Sequence, residues 1–478
     1  MGDVAIHKAG GRFIGLLLTH FARKMIVSRS TLLTIFLAVV VSVLCYSRAE
    51  HNLYARNFTE GLELIQARAL EPVPRQQLFE SAMRGMVSEL DEYSAFIAEA
   101  DAQKYREDLE QHFGGIGIEV YFDGETKTLA VGSPIIGSPR PAFEAGMRGG
   151  DRIVSIEGKP TDDLSMSEAV DIMRGEVGTP IRIAVVHAGQ TDPQQLSIMR
   201  EEINVDSVLG DRRDAAGNWI YTLEGEPRVG YLRLKTFGER TSQEMREALQ
   251  QLNDDKRLQA LIVDVRDNSG GYLQAADEVC DLFIRQGRIV STRGRGGRLL
   301  SVYDASSAGT FDGFPMAVLI NQGSASASEI FAACLKDHDR AAIIGERSWG
   351  KGSVQQMLPM ENGKSILKLT TASYWRPSGR NIHRLKDEPE SGDWGVRPSP
   401  GHEITLSDEE EKEMRTKRRL RDGYVPDALP GAEPPENYLD PQLRAAAEML
   451  RERRSAESPQ GGGDYKKEPR QVTSSSGP

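Results

Sequence analysis

Residues 321–329 read NQGSASASE, and residues 345–356 read GERSWGKGSVQQ. In the first stretch Ser324, Ser326 and Ser328 alternate with alanines just before an apolar, helix-like run carrying Ile330, Phe331 and Leu335. Small residues where a loop enters a helix leave backbone N–H groups open to an anion, and a serine there can project its hydroxyl. A serine nucleophile needs a base, and a lysine can serve if burial keeps it neutral. Lys351 stands between Gly350 and Gly352, where other groups can approach closely. An exposed lysine titrates at about 10.4, and burial lowers that value by disfavouring the ammonium. Ile343, Ile344 and Trp349 lie near Lys351 in sequence, and no Asp or Glu falls between Arg347 and Met360. Gln355 can hydrogen-bond an amine without adding charge.

Other chemistries compete for the same residues. Residues 345–351 spell G-x-x-x-x-G-K after a predicted strand, close to a phosphate-binding loop. Gly352 stands where that motif carries the Ser or Thr that holds magnesium. A Ser-His-Asp arrangement would need one of eight histidines. His338 falls at the far end of the helix predicted after Ser326 and reads as a surface residue. The chain has three cysteines, no C-x-x-C and no close His pair, which argues against a metal site. Cys280 and Cys334 read as buried free thiols, and Cys45 lies in an apolar run.

Together the two stretches resemble the signature of the carboxyl-terminal processing (tail-specific) peptidases of serine peptidase family S41: N-x-G-S-A-S-A-S-E, then G-E-x-x-x-G-K-G-x-x-Q. The resemblance implies that Ser326 is the nucleophile, Lys351 the general base and Gln355 the residue that orients the lysine. The oxyanion hole it implies is the N–H of Ala327 with that of Gly270 or Gly271. Residues 267–271 read DNSGG where the family has N-P-G-G, so Ser269 replaces a rigid proline. The implied reaction is acyl transfer with no metal or organic cofactor. The implied fold is an α/β protease core of ClpP/crotonase type with an inserted, mostly β PDZ domain and a helical N-terminal segment.

Residues 113–120, FGGIGIEV, resemble the carboxylate-binding loop of a PDZ domain. They are not a dinucleotide loop, since Val120 stands at the third glycine. Gly114, Gly115 and Gly117 would turn N–H groups toward a chain-terminal carboxylate. Ile116 and Ile118 would flank a pocket for the last side chain, and the strand edge that follows would pair with the peptide. A helix within LSMSEAVDIMRG and a closing strand, IRIAVV, complete the unit near residue 200. In the family the PDZ domain can hold the protease inactive until a peptide binds, and Arg174 is a candidate sensor.

The remaining elements must carry these groups. Residues 50–111 read as helices, with Leu62, Ile65, Met83 and Val87 at helical spacing; their end resembles the family's D-x-x-S turn, at Asp91 and Ser94. From Val229 a mixed α/β pattern begins, with strand VGYLRL, a helix capped by Thr241, and the buried strand LQALIVDVR. Residues 367–383 resemble the family's strand and turn lining the substrate groove, and GVRPSP departs slightly from G-V-x-P-D. RGRGGR reads as a solvated loop. Residues 408–421 read as a charged, solvated helix. Residues 424–438 are a Pro-rich linker, and a last helix runs from Asp440 and Pro441 to about Arg453.

The chain has 478 residues and 39% hydrophobic residues, enough for two or three domains with real cores. A net charge of −11 gives no global basic field for nucleic acid. Residues 30–47 carry no charge and suit a transmembrane helix. Lys8, Arg12, Arg23, Lys24 and Arg29 precede it, which orients the N-terminus inward. A signal peptide cut after Ala49 is the alternative. The expected organisation is a cytoplasmic segment at 1–29, an inner-membrane anchor at 30–47, a helical segment at 50–111, a PDZ domain at 112–200 and the protease core at 201–405. A linker with helices at 406–453 and a disordered tail at 454–478 follow. The predicted function is a periplasmic serine endopeptidase acting on proteins or peptides with free apolar C-termini. A non-catalytic PDZ adaptor is the alternative. An adaptor protein and assembly into a homo-oligomer are left open.

Overall fold

The computed structural model describes residues 29–50, 53–122, 128–134, 140–214, 218–254, 258–422 and 438–457. The cytoplasmic segment expected at 1–29 lies outside them except for Arg29, as do most of the Pro-rich linker and nearly all of the tail. The chain divides into two units, Met1–Glu89 and Leu90–Pro478. The first holds the helices Arg29–Glu50, Leu53–Arg68 and Arg75–Ser88. Among the described residues no helix is long and apolar enough to cross a membrane. The anchor expected at 30–47 is therefore without support there, although Leu33, Phe36, Leu37 and Val43 are exposed along Arg29–Glu50.

The second unit is built on four adjacent parallel strands, Glu226–Leu234, Ala260–Asp264, Met316–Ile320 and Ala342–Gly345. Ala260–Asp264 and Met316–Ile320 are buried along their whole length, as their continuous apolar runs require of strands covered on both faces. Alternate side chains divide between two cores. Leu261, Val263, Met316, Val318 and Ile320 meet the helices Thr241–Asp254, Leu273–Asp281 and Ala327–Asp337 on one face. Ala260, Ile262, Ala317 and Leu319 meet Leu443, Ala446 and Leu450 of the C-terminal helix on the other. That helix, Pro441–Glu457, runs past the end expected at Arg453. Cys280 and Cys334 are buried free thiols.

A second sheet is antiparallel: Ser365–Trp375 pairs with Ser353–Met360, with Gly287–Arg293 and with Ala95–Ile97. The last of these lies inside the segment expected to be helical. Three residues, AFI, are too few to show an alternation in sequence. The helix Glu99–Glu110 that follows belongs to this unit. RGRGGR turns the hairpin between Gly287–Arg293 and Leu299–Ala305.

The PDZ-like part is a separate antiparallel sheet in the order Ile118–Phe122, Leu129–Pro134, Arg152–Ile156, Pro180–Val186, Gln194–Met199. Its core holds Leu129, Ile153, Ile181 and Ile183 with Ala169 and Met173 of the helix Met166–Met173. Ser165 and Glu168 start that helix with a reciprocal capping box.

Candidate active site

Ligand sites of parallel sheets gather beyond the carboxyl ends of the strands, and the predicted nucleophile, base and oxyanion glycines follow such ends. Gly270 and Gly271 come after Ala260–Asp264, Ser326 after Met316–Ile320, and Lys351 after Ala342–Gly345. These three strands are consecutive neighbours, so their loops converge.

Hydrogen bonding separates the three serines. Ser324 Oγ donates to Val265 O at 2.8 Å, and Ser328 Oγ donates to Asn268 O at 2.8 Å. Both are fully buried. Ser326 instead lines a cleft of about 430 Å³. Its backbone has φ 57 and ψ −115, a conformation that costs a non-glycine residue about 1–3 kcal/mol. The turn is held by Glu329, whose Oε2 accepts the Ser326 N–H at 2.8 Å while its own N–H donates to Ser326 O at 2.9 Å.

Gly270 packs directly on this turn. A Cβ there would lie 2.7 Å from Ser326 Cβ and 2.9 Å from Ala327 N, and its φ is +106. The Gly270 N–H donates to Asn268 Oδ1 at 2.9 Å, so it is already engaged. The N–H groups of Gly271 and Ala327 make no hydrogen bond among the described residues, Ala327 being the first residue of its helix. Asn268 also stiffens the loop that lacks the family's proline. It is buried, and its Nδ2 donates to Leu234 O at 2.7 Å while its carbonyl accepts Ala325 N–H.

Lys351 is half-buried in the same cleft. Burial lowers its pKa, and the like charge of Lys368 lowers it further. Glu329 and Glu92 oppose both. Its ammonium lies 4.9 Å from the centre of the Tyr93 ring. Tyr374 donates its hydroxyl to the Lys351 carbonyl and faces the Ser326 side chain; burial pushes its pKa well up. Beneath the site, fully buried Glu329 accepts four hydrogen bonds: Ser348 Oγ at 2.6 Å, Gly350 N–H at 2.7 Å, and the N–H groups of Lys351 and Ser326 at 2.8 Å. Burial raises its pKa more than these bonds lower it. The bonds also remove the phosphate-loop reading: two of the amides a phosphate would need are occupied, and Lys351 is followed by the strand Ser353–Met360 rather than a helix.

Gln355 lines the cleft but makes no hydrogen bond to Lys351. Its Nε2 donates to Ser353 Oγ at 2.9 Å and Thr370 Oγ1 at 3.3 Å. Thr370 Oγ1 donates to Asp91 Oδ1 at 2.9 Å, and Asp91 also accepts the Tyr93 and Ser94 N–H groups and Ser94 Oγ. The D-x-x-S turn is thus wired to the strand beneath the cleft. No hydrogen bond joins Lys351 Nζ to Ser326 Oγ in this structure. His338 is half-buried rather than on the surface: its ring bonds Arg288 O at 2.7 Å. It caps the other end of the helix from Ser326, about 18 Å away at the usual rise.

In the PDZ-like part, Gly114 and Gly115 are held in a strand, His112–Gly115, paired with Glu201–Asn204. The open turn is narrower than expected, at Ile116 and Gly117. Ile116 is buried in the domain core, and Ile118 packs against it. Among the described residues the strand Ile118–Phe122 pairs on one side only, with Leu129–Pro134, and no strand pairs with its other edge. Arg174 ends the helix Met166–Met173, pairs with Glu107 at 3.3 Å and lies 4.4 Å from the centre of the Phe113 ring.

Sequence reasoning does not find Glu329, Tyr374, Asn268 or Lys368. Of these only Glu329 leaves a local signal, the S-x-x-E pattern with Ser326.

The profile of peptidase family S41 matches residues 228–391, and that of a PDZ domain matches residues 138–186. A carboxy-terminal-processing protease of Bartonella bacilliformis is 36% identical over 87% of this chain and 94% of its own length. The carboxy-terminal processing protease CtpB of Bacillus subtilis is 33% identical over 69% of this chain and 66% of its own. The chain belongs to peptidase family S41, among the carboxy-terminal processing serine proteases. A solved photosystem II D1 C-terminal processing protease is 25% identical, covers 77% of this chain and 94% of its own, and superposes with a TM-score of 0.41.

Proposed function

We propose that this serine protease works through a Ser326–Lys351 dyad and selects substrates by their C-terminal ends. The observation that carries the proposal is that Ser326, alone among the three serines, faces the cleft that also holds the half-buried Lys351. Neutral Lys351 takes the proton from Ser326 Oγ as the oxygen attacks the scissile carbonyl. The N–H groups of Gly271 and Ala327 stabilise the oxyanion. The protonated lysine then gives its proton to the leaving amine. Water, activated by the same amine, releases the acyl group. The dyad closes on substrate binding, as catalytic hydrogen bonds commonly do. Gln355 orients the amine in that closed state.

The open edge of Ile118–Phe122 suits addition of a peptide strand, with the turn at Ile116 and Gly117 receiving the carboxylate. Arg174, fixed to Glu107, is the sensor of peptide binding in the same proposal; unchanged basal and peptide-stimulated rates in Arg174→Ala would remove it. The ClpP/crotonase-type description of the core rests on its parallel strands alternating with helices. The catalytic part acts in the extracytoplasmic space, held at the membrane by the exposed apolar side chains of Arg29–Glu50. Recovery in the soluble fraction without detergent would contradict that placement.

The test is to incubate the protein with an unfolded polypeptide, with and without Ser326→Ala, and identify the cuts by mass. Cleavage by the wild type alone supports the proposal; equal cleavage by both contradicts it.

A further inference from the structure

The cleft contains a second cation that the proposed reaction does not use. Lys368 lies on Ser365–Trp375, opposite Met357 of Ser353–Met360 and Ala95 of Ala95–Ile97. Opposed residues of an antiparallel pair share a face of the sheet. Lys368, Met357 and Gln355 accordingly line the cleft together with Ser326 and Lys351.

The Lys368 side chain is half-buried and makes no hydrogen bond or ion pair among the described residues. Its ammonium lies 5.6 Å from the centre of the Tyr105 ring. Asp91 is the acidic group whose field reaches it. Asp91, however, is committed to Tyr93, Ser94 and Thr370. Among the described residues no carboxylate lines the cleft. A partly desolvated ammonium without a counter-charge is costly, and a carboxylate arriving with the ligand relieves that cost.

Resting on the dyad reading above, we propose that Lys368 is a substrate-anchoring residue. It receives a carboxylate of the bound chain and so fixes where the cut falls relative to that charge. The carboxylate can be an Asp or Glu side chain near the scissile bond, or the α-carboxylate of a chain that ends there. Because the bound carboxylate also offsets the field that helps keep Lys351 neutral, the benefit falls on KM rather than on kcat.

The experiment uses the full chain and a set of short quenched peptides with amidated ends, each carrying one Glu or one Gln, scanned through the positions on either side of the cut. A further pair differs only in a free or amidated end. Wild type should favour the carboxylate at one position by about ten-fold in kcat/KM, the order expected of one charge-assisted hydrogen bond in a half-buried site. Lys368→Met should abolish that preference and Lys368→Arg should keep it; Lys368→Gln replaces the first variant if it does not fold. A preference confined to the free-ended peptide assigns the anchor to chain ends, and one for Glu over Gln assigns it to side chains. Each ratio compares two substrates of one enzyme, so any change in Lys351 basicity largely cancels. A wild-type preference that survives in Lys368→Met, or no preference at any position, overturns the anchor. Undiminished cleavage by Ser326→Ala would instead overturn the dyad.

Discussion

Glu329 and Lys351 are joined through one oxygen: Oε2 of the buried carboxylate accepts the Lys351 N–H at 2.8 Å, and the same atom accepts the Ser326 N–H at 2.8 Å. The backbones of the proposed base and nucleophile are thereby tied to a single point, although they lie on loops after different strands. Glu329→Gln keeps the shape but replaces one acceptor oxygen with a donor. Whichever way the amide turns, an N–H donor of the clamp then faces another donor. An unsatisfied buried donor costs about 1–3 kcal/mol. Glu329→Gln should therefore lower kcat/KM by roughly ten-fold or more and lower the melting temperature, measured by peptide hydrolysis and thermal denaturation. Wild-type rates would mean that the clamp does not position the dyad.

The pH profile reports on Lys351. Its pKa is depressed, so the neutral, proton-accepting form grows in as pH rises through a value below that of an exposed lysine. The account predicts that kcat/KM rises with pH through one such ionisation. Lys368→Met removes a like charge and should move that ionisation upward. Lys351→Arg should be inactive because guanidinium stays charged, while Lys351→His should keep weak activity with a lower apparent pKa. A flat profile, with chemistry shown to be rate-limiting, would mean that Lys351 is not the base.

Much of this site is legible in the sequence, and the parts that are not share a physical reason. The serine run before an apolar helix and the glycine-flanked lysine are local patterns. So are the buried strands Ala260–Asp264 and Met316–Ile320, whose length and apolar continuity mark them. The cover over Lys351 is not local. Sequence proximity points to Ile343, Ile344 and Trp349. In the structure Ile343 and Ile344 face opposite sides of the sheet, and Trp349 is 54% exposed. The Tyr93 ring, brought in from the start of the unit, lies against the ammonium, and the charge of Lys368, from the antiparallel sheet, reaches it. Likewise, no acidic residue neighbours Lys351 in sequence, yet Glu329 lies directly behind it. A side chain delivered across two sheets leaves no periodic trace. The C-terminal helix extends beyond Arg453 because RERRSAE, though charged, is made mostly of good helix formers.

A buried charge network fastens the C-terminal helix to the sheet. Arg266 donates to Asp264 at 2.7 Å and to Asp440 at 2.9 Å, and Tyr231 donates to Asp264 at 2.7 Å. Burial would raise both carboxyls, but Arg266, Arg418 and the hydrogen bonds each carboxylate accepts together outweigh it and hold both below the ordinary carboxylate range. Their contribution to stability is thus fully present above the unfolded carboxylate pKa and is lost as pH falls through the depressed folded values. Asp440→Asn should cost about 3 kcal/mol at neutral pH, and the difference from wild type should shrink in acid. Urea unfolding at several pH values measures this; a difference independent of pH would mean that the charge is not what matters.

Chain-end selection should show on long substrates whose ends lie too far from the cut to reach Lys368. An unfolded protein with an apolar free C-terminus should be cut faster than the same protein with an amidated end, in wild type and in Lys368→Met alike. Equal rates would count against carboxylate capture beside the edge strand Ile118–Phe122.

The account turns on Ser326 carrying the acyl group and Lys351 accepting its proton. The direct measurement is intact mass after an acid quench early in peptide turnover, followed by digestion to locate the adduct. Wild type should carry the acyl fragment on the peptide containing Ser326, and Ser326→Ala and Lys351→Ala should carry none. An adduct on any other residue, or one that forms undiminished in Lys351→Ala, would contradict the dyad.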